Sequence, residues 1–252
     1  MVRMIMHGCN GAMGRTITDL VKGQNDITIV AGVDKYDGVK QDYPVYRDLD
    51  EVGEEADVIV DFAAAGAVDH LLDYCSERKM PVVLCTTGLT EEQVGRVSLA
   101  AEKTAVLRSA NMSLGVNLLM KLVKEAARTL AEAGFDMEIV EKHHNQKLDA
   151  PSGTALALAD SINEAMENRY RYVYDRSGRH ERRDGKEIGI SAVRGGSIVG
   201  EHDIIFAGKD EVVTLSHTAY SKAIFAKGAV EAARFLAGKP AGLYNMADVI
   251  EG

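Results

Sequence analysis

The chain opens on an apolar run, Met4-Ile-Met6, between Arg3 and His7, and passes directly into Gly8-Cys-Asn-Gly11-Ala-Met-Gly14-Arg15. Beyond these glycines Ile17, Leu20 and Val21 recur at helical spacing, so the pattern predicts a buried strand, a tight turn and a helix. The alternation then repeats. Residues 28–33, 58–62, 81–84 and 105–107 are short apolar runs, with a helical stretch around Val68 to Cys75 and another before Ala105. Apolar strands alternating with helices predict an α/β fold, with an N-terminal doubly wound, Rossmann-like parallel sheet whose two faces are covered. The strand ends Asp61-Phe62 and Cys85-Thr-Thr-Gly88 then share a carboxyl edge with the glycine turn, where such folds bind ligands.

After a helix built on Leu118, Leu119, Leu122, Val123, Ala126 and Leu130, the apolar period falls to 2. Strands are predicted at 135–141, 187–194 and 211–217, forming a mixed, largely antiparallel sheet in a separate α+β layer. A last helix around Phe225 to Leu236 and the segment Gly242 to Val249 return to cover the first sheet. The expected organisation is a dinucleotide-binding domain over 1–110, completed by 223–252, and a second domain over 111–222.

The glycine pattern G-x-x-G-x-x-G asks for a tight turn at Gly8, close approach of a pyrophosphate near Gly11, and close helix packing at Gly14. Three glycines in a ligand-free turn are the plain alternative. Asp34 ends the second predicted strand about 20 residues past the turn, where an acid hydrogen-bonds an adenosine ribose. Lys35 beside it can pair with a 2′-phosphate, so use of both NADH and NADPH is expected, with NADH modestly ahead.

A second concentration of chemistry lies at Glu141-Lys-His-His-Asn-Gln-Lys-Leu-Asp-Ala-Pro-Ser-Gly-Thr-Ala155, a predicted strand-to-helix connection. With Ser152 near the helix N-cap, the backbone N–H groups of Gly153 and Thr154 are placed to receive a carboxylate or phosphate, and Lys147 adds a full positive charge. His143 and His144 are either acid/base groups or ordinary hydrogen-bonded loop residues. Neighbours on an extended strand point to opposite faces, so no metal site is expected there.

Net charge is −9, from 29 Lys and Arg against 38 Asp and Glu, which argues against a general nucleic-acid binder. The arginines between Arg169 and Arg183 are diluted by Asp175, Glu181 and Asp184, so that stretch is expected to be a solvated loop. Cys9, Cys75 and Cys85 are odd in number and lack a C-x-x-C pair. With no signal peptide, they point to a reducing cytoplasm. No apolar run approaches the roughly 18 residues of a membrane span.

The glycine turn with Met13-Gly14-Arg15, the segment His143-His144-x-x-Lys147-x-Asp149-Ala-Pro-Ser-Gly-Thr154, the run Val193-Arg194-Gly-Gly-Ser-Ile-Val-Gly-Glu-His202 and the tail Leu243-Tyr-Asn-Met occur in this order. Together they resemble the 4-hydroxy-tetrahydrodipicolinate reductase family across nearly the whole chain. The resemblance implies hydride transfer from NADH or NADPH to a cyclic imine dicarboxylate on the route to diaminopimelate and lysine. It implies His143 as an acid/base residue, Lys147 as proton donor, and His144, Ser152, Gly153 and Thr154 as substrate contacts. On the cofactor side it implies Gly8, Cys9, Asn10, Gly11, Ala12, Met13, Asp34, Lys35, Cys85, Thr86, Thr87, Ser109, Ala110, Asn111 and Met112. It further implies a homotetramer, with the second domain carrying both substrate site and interface.

Departures from the family pattern fall on the cofactor side. Asp61-Phe62-Ala63-Ala64-Ala65-Gly66 stands where D-F-T-x-P is usual, Cys85-Thr-Thr-Gly88 for G-T-T-G, and Ser109-Ala110-Asn111-Met112 for A-P-N-F. Atypical nucleotide affinity or preference is the corresponding expectation. Two other readings stay open from the residues alone: a non-catalytic sensor of NAD(P) or substrate on the same fold, and another two-domain dehydrogenase of a small amino acid.

Overall fold

The computed structural model describes residues 1–36, 38–109 and 111–252. In chain order the elements are β1 (Val2–His7), α1 (Ala12–Val21), β2 (Ile27–Val33), β3 (Val45–Tyr46), β4 (Val58–Asp61), α2 (Val68–Arg78), β5 (Val82–Leu84), α3 (Glu91–Ala101) and β6 (Ala105–Arg108). They continue as α4 (Leu114–Leu130), β7 (Asp136–His143), α5 (Gly153–Ala165), β8 (Arg171–Val173), β9 (Glu187–Arg194), β10 (Gly200–Ala207) and β11 (Val212–Ala219). The chain closes with α6 (Ala223–Leu236), β12 (Gly242–Tyr244) and α7 (Met246–Glu251). Two compact units result, Met1–Ser113 with Ala223–Gly252, and Leu114–Lys222.

The first unit is a seven-stranded parallel sheet in the order β12-β6-β5-β4-β1-β2-β3. Its central strands are apolar on both faces because both are covered. Ile5, Ile59, Val82 and Leu84 pack with Leu71 and Leu72 of α2 and Val97 of α3, while α6 lies against β1, β4, β5 and β6 and also meets α1. Each fully buried Ile or Leu contributes about 1.5–3 kcal/mol of transfer free energy. Helix α6 is rich in small buried residues, and at Gly228 an added Cβ would lie 1.6 Å from the Met112 carbonyl oxygen, so only glycine permits this approach. The tail does not simply cover the sheet: β12 pairs in parallel with β6 and extends the edge.

In the second unit the sheet order is β11-β10-β7-β9-β8. Helices α4 and α5 pack together, and the core joins Leu119, Val123, Leu158 and Ile162 to Ile139, Ile190, Ile204 and Phe206. The pairs β10–β11 and β10–β7 are antiparallel, whereas β7–β9 and β8–β9 are parallel. The sheet is therefore evenly mixed rather than largely antiparallel, because α5 lies in the connection from β7 to β9 and a crossover returns the chain in the same direction. Strands β8 and β10 are additions to the sequence expectation. On α4, Leu118 and Leu122 remain 46% and 44% exposed, and the buried face instead runs through Val116, Asn117, Leu119, Val123 and Ala127.

The arginine-rich stretch corrects the expectation of a merely solvated loop. Glu187, whose side chain is 2% exposed, receives Arg171 and Arg176, each at 2.6 Å. Arg176 and Arg183 both reach Glu138 Oε1, at 2.9 and 3.0 Å. A carboxylate this buried is tolerable only with paired cations, so the arginines tie the loop to β7 and β9.

Candidate active site

In the first unit the turn after β1 is built by backbone sterics. Gly8 has φ +82°, and an added Cβ would lie 2.8 Å from the Phe62 carbonyl oxygen. At Gly14 an added Cβ would meet the carbonyl oxygens of Gly8 and Cys9 at 2.3 and 2.6 Å, so α1 can start directly on the turn only without a side chain there. Gly11 is the α1 N-cap and offers no side-chain cap, which leaves the helix-start N–H groups for an anion. Asp34 accepts from Asn10 N–H at 2.9 Å and Tyr36 N–H at 3.0 Å, locking the turn to the end of β2. A cavity of about 810 Å³ is lined by Gly8, Gly11, Asp34, Lys35, Phe62 and His70 among others, a size typical of small-molecule sites. The glycine cradle, the acid at the β2 end and this cavity fit a dinucleotide.

The remaining cofactor-side positions divide. The Cys9 side chain is fully buried against Gly32, and burial pushes its thiol up to about 12, so only its backbone is offered to a ligand. Asn10 is buried; its side chain donates to the Tyr36 carbonyl and accepts from Gln41 at 2.9 Å. Ala12 and Thr87 are exposed, while Met13, Cys85 and Ser109 are half-buried. Burial also raises the Cys85 thiol. Thr86 Oγ1 lies 2.6 Å from Asp61 Oδ2 and 2.9 Å from the Ala63 carbonyl. Asp61 is fully buried, and His7 Nδ1 stands 2.8 Å from its Oδ1, at ion-pair distance but off the line a hydrogen bond requires. Asn111 Oδ1 accepts from Ser113 N–H at 2.8 Å. Met112 is 6% exposed, which makes it a packing position in this chain. Ala110 lies outside the described residues.

In the second unit the His-His-x-x-Lys segment is organised by a residue the sequence reading had not singled out, Glu141. This fully buried carboxylate accepts from His143 Nδ1 at 2.5 Å and Ser152 N–H at 2.9 Å. Arg194 grips both its oxygens, at 2.8 and 2.7 Å. Burial raises the Glu141 pKa, but the hydrogen bonds from Arg194, His143 and Ser152 outweigh it and hold it below the ordinary carboxylate range. With Nδ1 committed to Glu141, His143 has Nε2 as its other ring nitrogen. Gly200 makes room for that ring, since an added Cβ would lie 3.0 Å from Nε2.

Ser152 caps α5, its Oγ accepting from Ala155 N–H at 3.1 Å and lying 3.1 Å from His202 Nε2. His202 is buried beside His143, ring centroids 5.2 Å apart and edge to face. Burial, reinforced by His143, pushes its pKa down to about 4, so it is neutral at physiological pH. Lys147 turns back on His144, its N–H donating to the His144 carbonyl at 3.1 Å, and its ammonium stands 2.8 Å from Asp149 Oδ1. Gly153 is exposed at the helix start with open space around it, and Thr154 is half-buried. The structure thus brings His143, His144, Lys147, Ser152, Gly153 and Thr154 into one connection and adds Glu141, Arg194, His202 and Asp149. The signal for Glu141 and Asp149 was their place in the motif, and for Arg194, 53 residues from Glu141, its place in the Val193–His202 run, which gave no sign of this pairing. Among the described residues, no helix is long and apolar enough to cross a membrane.

Comparison with known proteins covers both units. The family described as "Dihydrodipicolinate reductase, N-terminus" matches residues 2–112, and "Dihydrodipicolinate reductase, C-terminus" matches residues 115–250. The 4-hydroxy-tetrahydrodipicolinate reductase of Caldanaerobacter subterraneus subsp. tengcongensis is 53% identical over 251 residues, covering 100% of this chain and 99% of that protein. The Clostridium tetani protein of the same name is 48% identical, over 98% and 96%. Among solved structures, dipicolinate-bound dihydrodipicolinate reductase from Paenisporosarcina sp. TG-14 superposes with a TM-score of 0.83 at 27% identity, covering 99% of each chain.

Proposed function

The chain belongs to the dihydrodipicolinate reductase family, and from that premise we propose that it reduces 4-hydroxy-tetrahydrodipicolinate to tetrahydrodipicolinate, with NADH or NADPH as hydride donor, in diaminopimelate and lysine biosynthesis. What supports the reading within the structure is the connection from β7 to α5, which carries a histidine oriented by Glu141, a lysine ammonium and a helix start, groups suited to a dianion.

The bound nicotinamide supplies the hydride. Gly8, Gly11 and Gly14 would let backbone approach the pyrophosphate of the dinucleotide, and Asp34 would accept from its ribose, with Lys35 beside the 2′-phosphate of NADPH. Loss of the 4-hydroxyl of the substrate as water gives a conjugated imine, and hydride addition to that imine would build negative charge on the ring. Lys147 Nζ then delivers a proton, and His143, held through Nδ1 by Glu141, acts as acid/base at Nε2. The substrate carboxylates bind at Lys147, His144 and the N–H groups of Gly153 and Thr154, supported by the Ser152 cap.

Assembly as a homotetramer in the cytoplasm is part of the same proposal. Its support is the helix-free face of the second sheet, which carries Val140, Val193, Ile205 and Val212 among polar neighbours, with Val193 and Val212 45% and 61% exposed. Nucleotide preference is proposed to be atypical because of Ala63 and Cys85; the burial of Met112 moves that residue from stacking to packing.

The test follows nicotinamide absorbance while freshly generated cyclic imine dicarboxylate is supplied with NADH or NADPH. Oxidation is expected with both. Lys147→Ala should still bind dipicolinate weakly but turn over at least about 100-fold more slowly. Silence with both nucleotides from folded wild-type protein would remove the proposal.

A further inference from the structure

Resting on that reading of the substrate site, we propose that Asp149 is a resident carboxylate: without ligand it occupies the position of one substrate carboxylate, parking Lys147 at the α5 start, and it swings out when substrate arrives. Asp149 Oδ1 lies 2.8 Å from Lys147 Nζ. Lys147 first, and the backbone N–H of Gly153, the first residue of α5, to a smaller extent, hold the Asp149 carboxyl below the ordinary carboxylate range. These two groups, an ammonium and a helix-start N–H, are the pair assigned above to a substrate carboxylate. An incoming anion cannot take the ammonium while Asp149 holds it.

The surroundings suit an exchange rather than a fixed bridge. The Lys147 side chain is 23% exposed and that of Asp149 57%, so the carboxylate is the wetter partner and regains hydration when it leaves. Its main chain is anchored independently, because Arg194 Nη2 donates to the Asp149 carbonyl at 2.5 Å while the same guanidinium grips Glu141. Displacement therefore needs side-chain rotation alone and leaves the Glu141–His143 arrangement untouched. Nothing lies within 4 Å of an added Cβ at Gly153, so the approach to the helix start is open. Replacing one carboxylate by another keeps Lys147 Nζ at the same place before and after binding. Asp149 is thus a positioning residue whose departure is part of substrate affinity.

The experiment is calorimetric titration of pyridine-2,6-dicarboxylate, carried into the millimolar range, against wild type, Asp149→Asn, Lys147→Ala and the double variant. Asparagine keeps an oxygen for the Gly153 N–H but gives up the competition for the ammonium. Since an exposed pair of this kind is worth a few-fold in an equilibrium constant, Asp149→Asn should bind about two- to five-fold more tightly than wild type. The KM for the cyclic imine should fall by the same factor without a rise in kcat. On the Lys147→Ala background the Asp149→Asn gain should disappear, because the contested group is gone. An equal gain on both backgrounds would mean a general charge effect and overturn the inference. So would unchanged or weaker binding by Asp149→Asn when wild type binds. Wild type that does not bind the probe at all would overturn the substrate-site reading, and this inference with it.

Discussion

Glu141→Gln is the substitution that tests the site most directly. In the native protein one carboxylate oxygen faces His143 Nδ1 and Arg194 Nη1, at 2.5 and 2.8 Å, and the other faces Ser152 N–H and Arg194 Nη2, at 2.9 and 2.7 Å. All four partners are donors. A glutamine amide has only one oxygen, so either orientation turns its NH2 against two donors and leaves the guanidinium without its counter-charge. Hydrogen bonds to charged groups contribute about 1.5–3 kcal/mol each, and losing two sets a range of about 3–6 kcal/mol. Arg194 is 19% exposed and keeps its bonds to the Val193 and Asp149 carbonyls, which favours the lower end, about 3 kcal/mol. For a chain of this length that is a fall in Tm of about 6–12 °C. His143 loses its fixed tautomer at the same time, so kcat should drop about 100-fold with little change in KM. Arg194→Lys is the companion, expected to lose stability while keeping more of the rate, because Glu141 still accepts from His143. Thermal unfolding and steady-state turnover read the two effects. A Glu141→Gln protein within about 0.5 kcal/mol of wild type and within two-fold in kcat would refute the hub.

The other predictions concern single groups. Glu141 has a folded pKa below its ordinary value, so its contribution is present above the unfolded carboxylate pKa and is lost as pH falls through the folded one; the Glu141→Gln protein should show a shallower acid limb in urea unfolding. His202 is depressed from 6.5 to about 4, so the unfolded chain takes up the proton first: stability is full above pH 6.5 and falls between pH 6.5 and about 4, by about 3 kcal/mol, and His202→Gln should flatten that slope. Gly14→Ala drives a Cβ into two carbonyl oxygens and should cost about 1–3 kcal/mol together with nucleotide binding, whereas Gly95→Ala, in α3 with nothing within 4 Å, should gain about 1 kcal/mol; equal melting temperatures for the two would contradict the turn geometry. Asp34→Asn removes a charge that repels a 2′-phosphate and should shift the NADPH to NADH efficiency ratio about ten-fold toward NADPH, an unchanged ratio showing that Asp34 is not the ribose ligand.

How legible the molecule was in its sequence depends on whether a residue's environment is set by its neighbours in the chain. Met4-Ile-Met6 and Val58-Ile-Val60 read as buried strands because a run apolar on both faces is stable only inside a covered sheet. Ser152 read as a helix cap, and it is one, because capping is decided within three residues. Strand β10 went unread because Glu201-His202-Asp203 is polar by composition, although His202 faces inward with Ile204 and Phe206. Cys9 read only as a turn position on the cofactor side; that its side chain sits under Gly32 is a contact made across the β1–β2 pair.

The sequence by itself determined the alternation of strands and helices, the glycine turn, the Asp34 that closes β2, and the family to which the His-His-x-x-Lys segment belongs. These are local properties: hydrophobic period, backbone sterics and the order of a few residues. Only the tertiary structure decided that Glu141 joins His143 to Arg194, that His202 stands neutral beside them, and that Asp149 pairs with Lys147. Burial, tautomer and ion pairing depend on which groups the fold brings within about 3 Å, and groups fifty residues apart in the chain carry no mark of that distance.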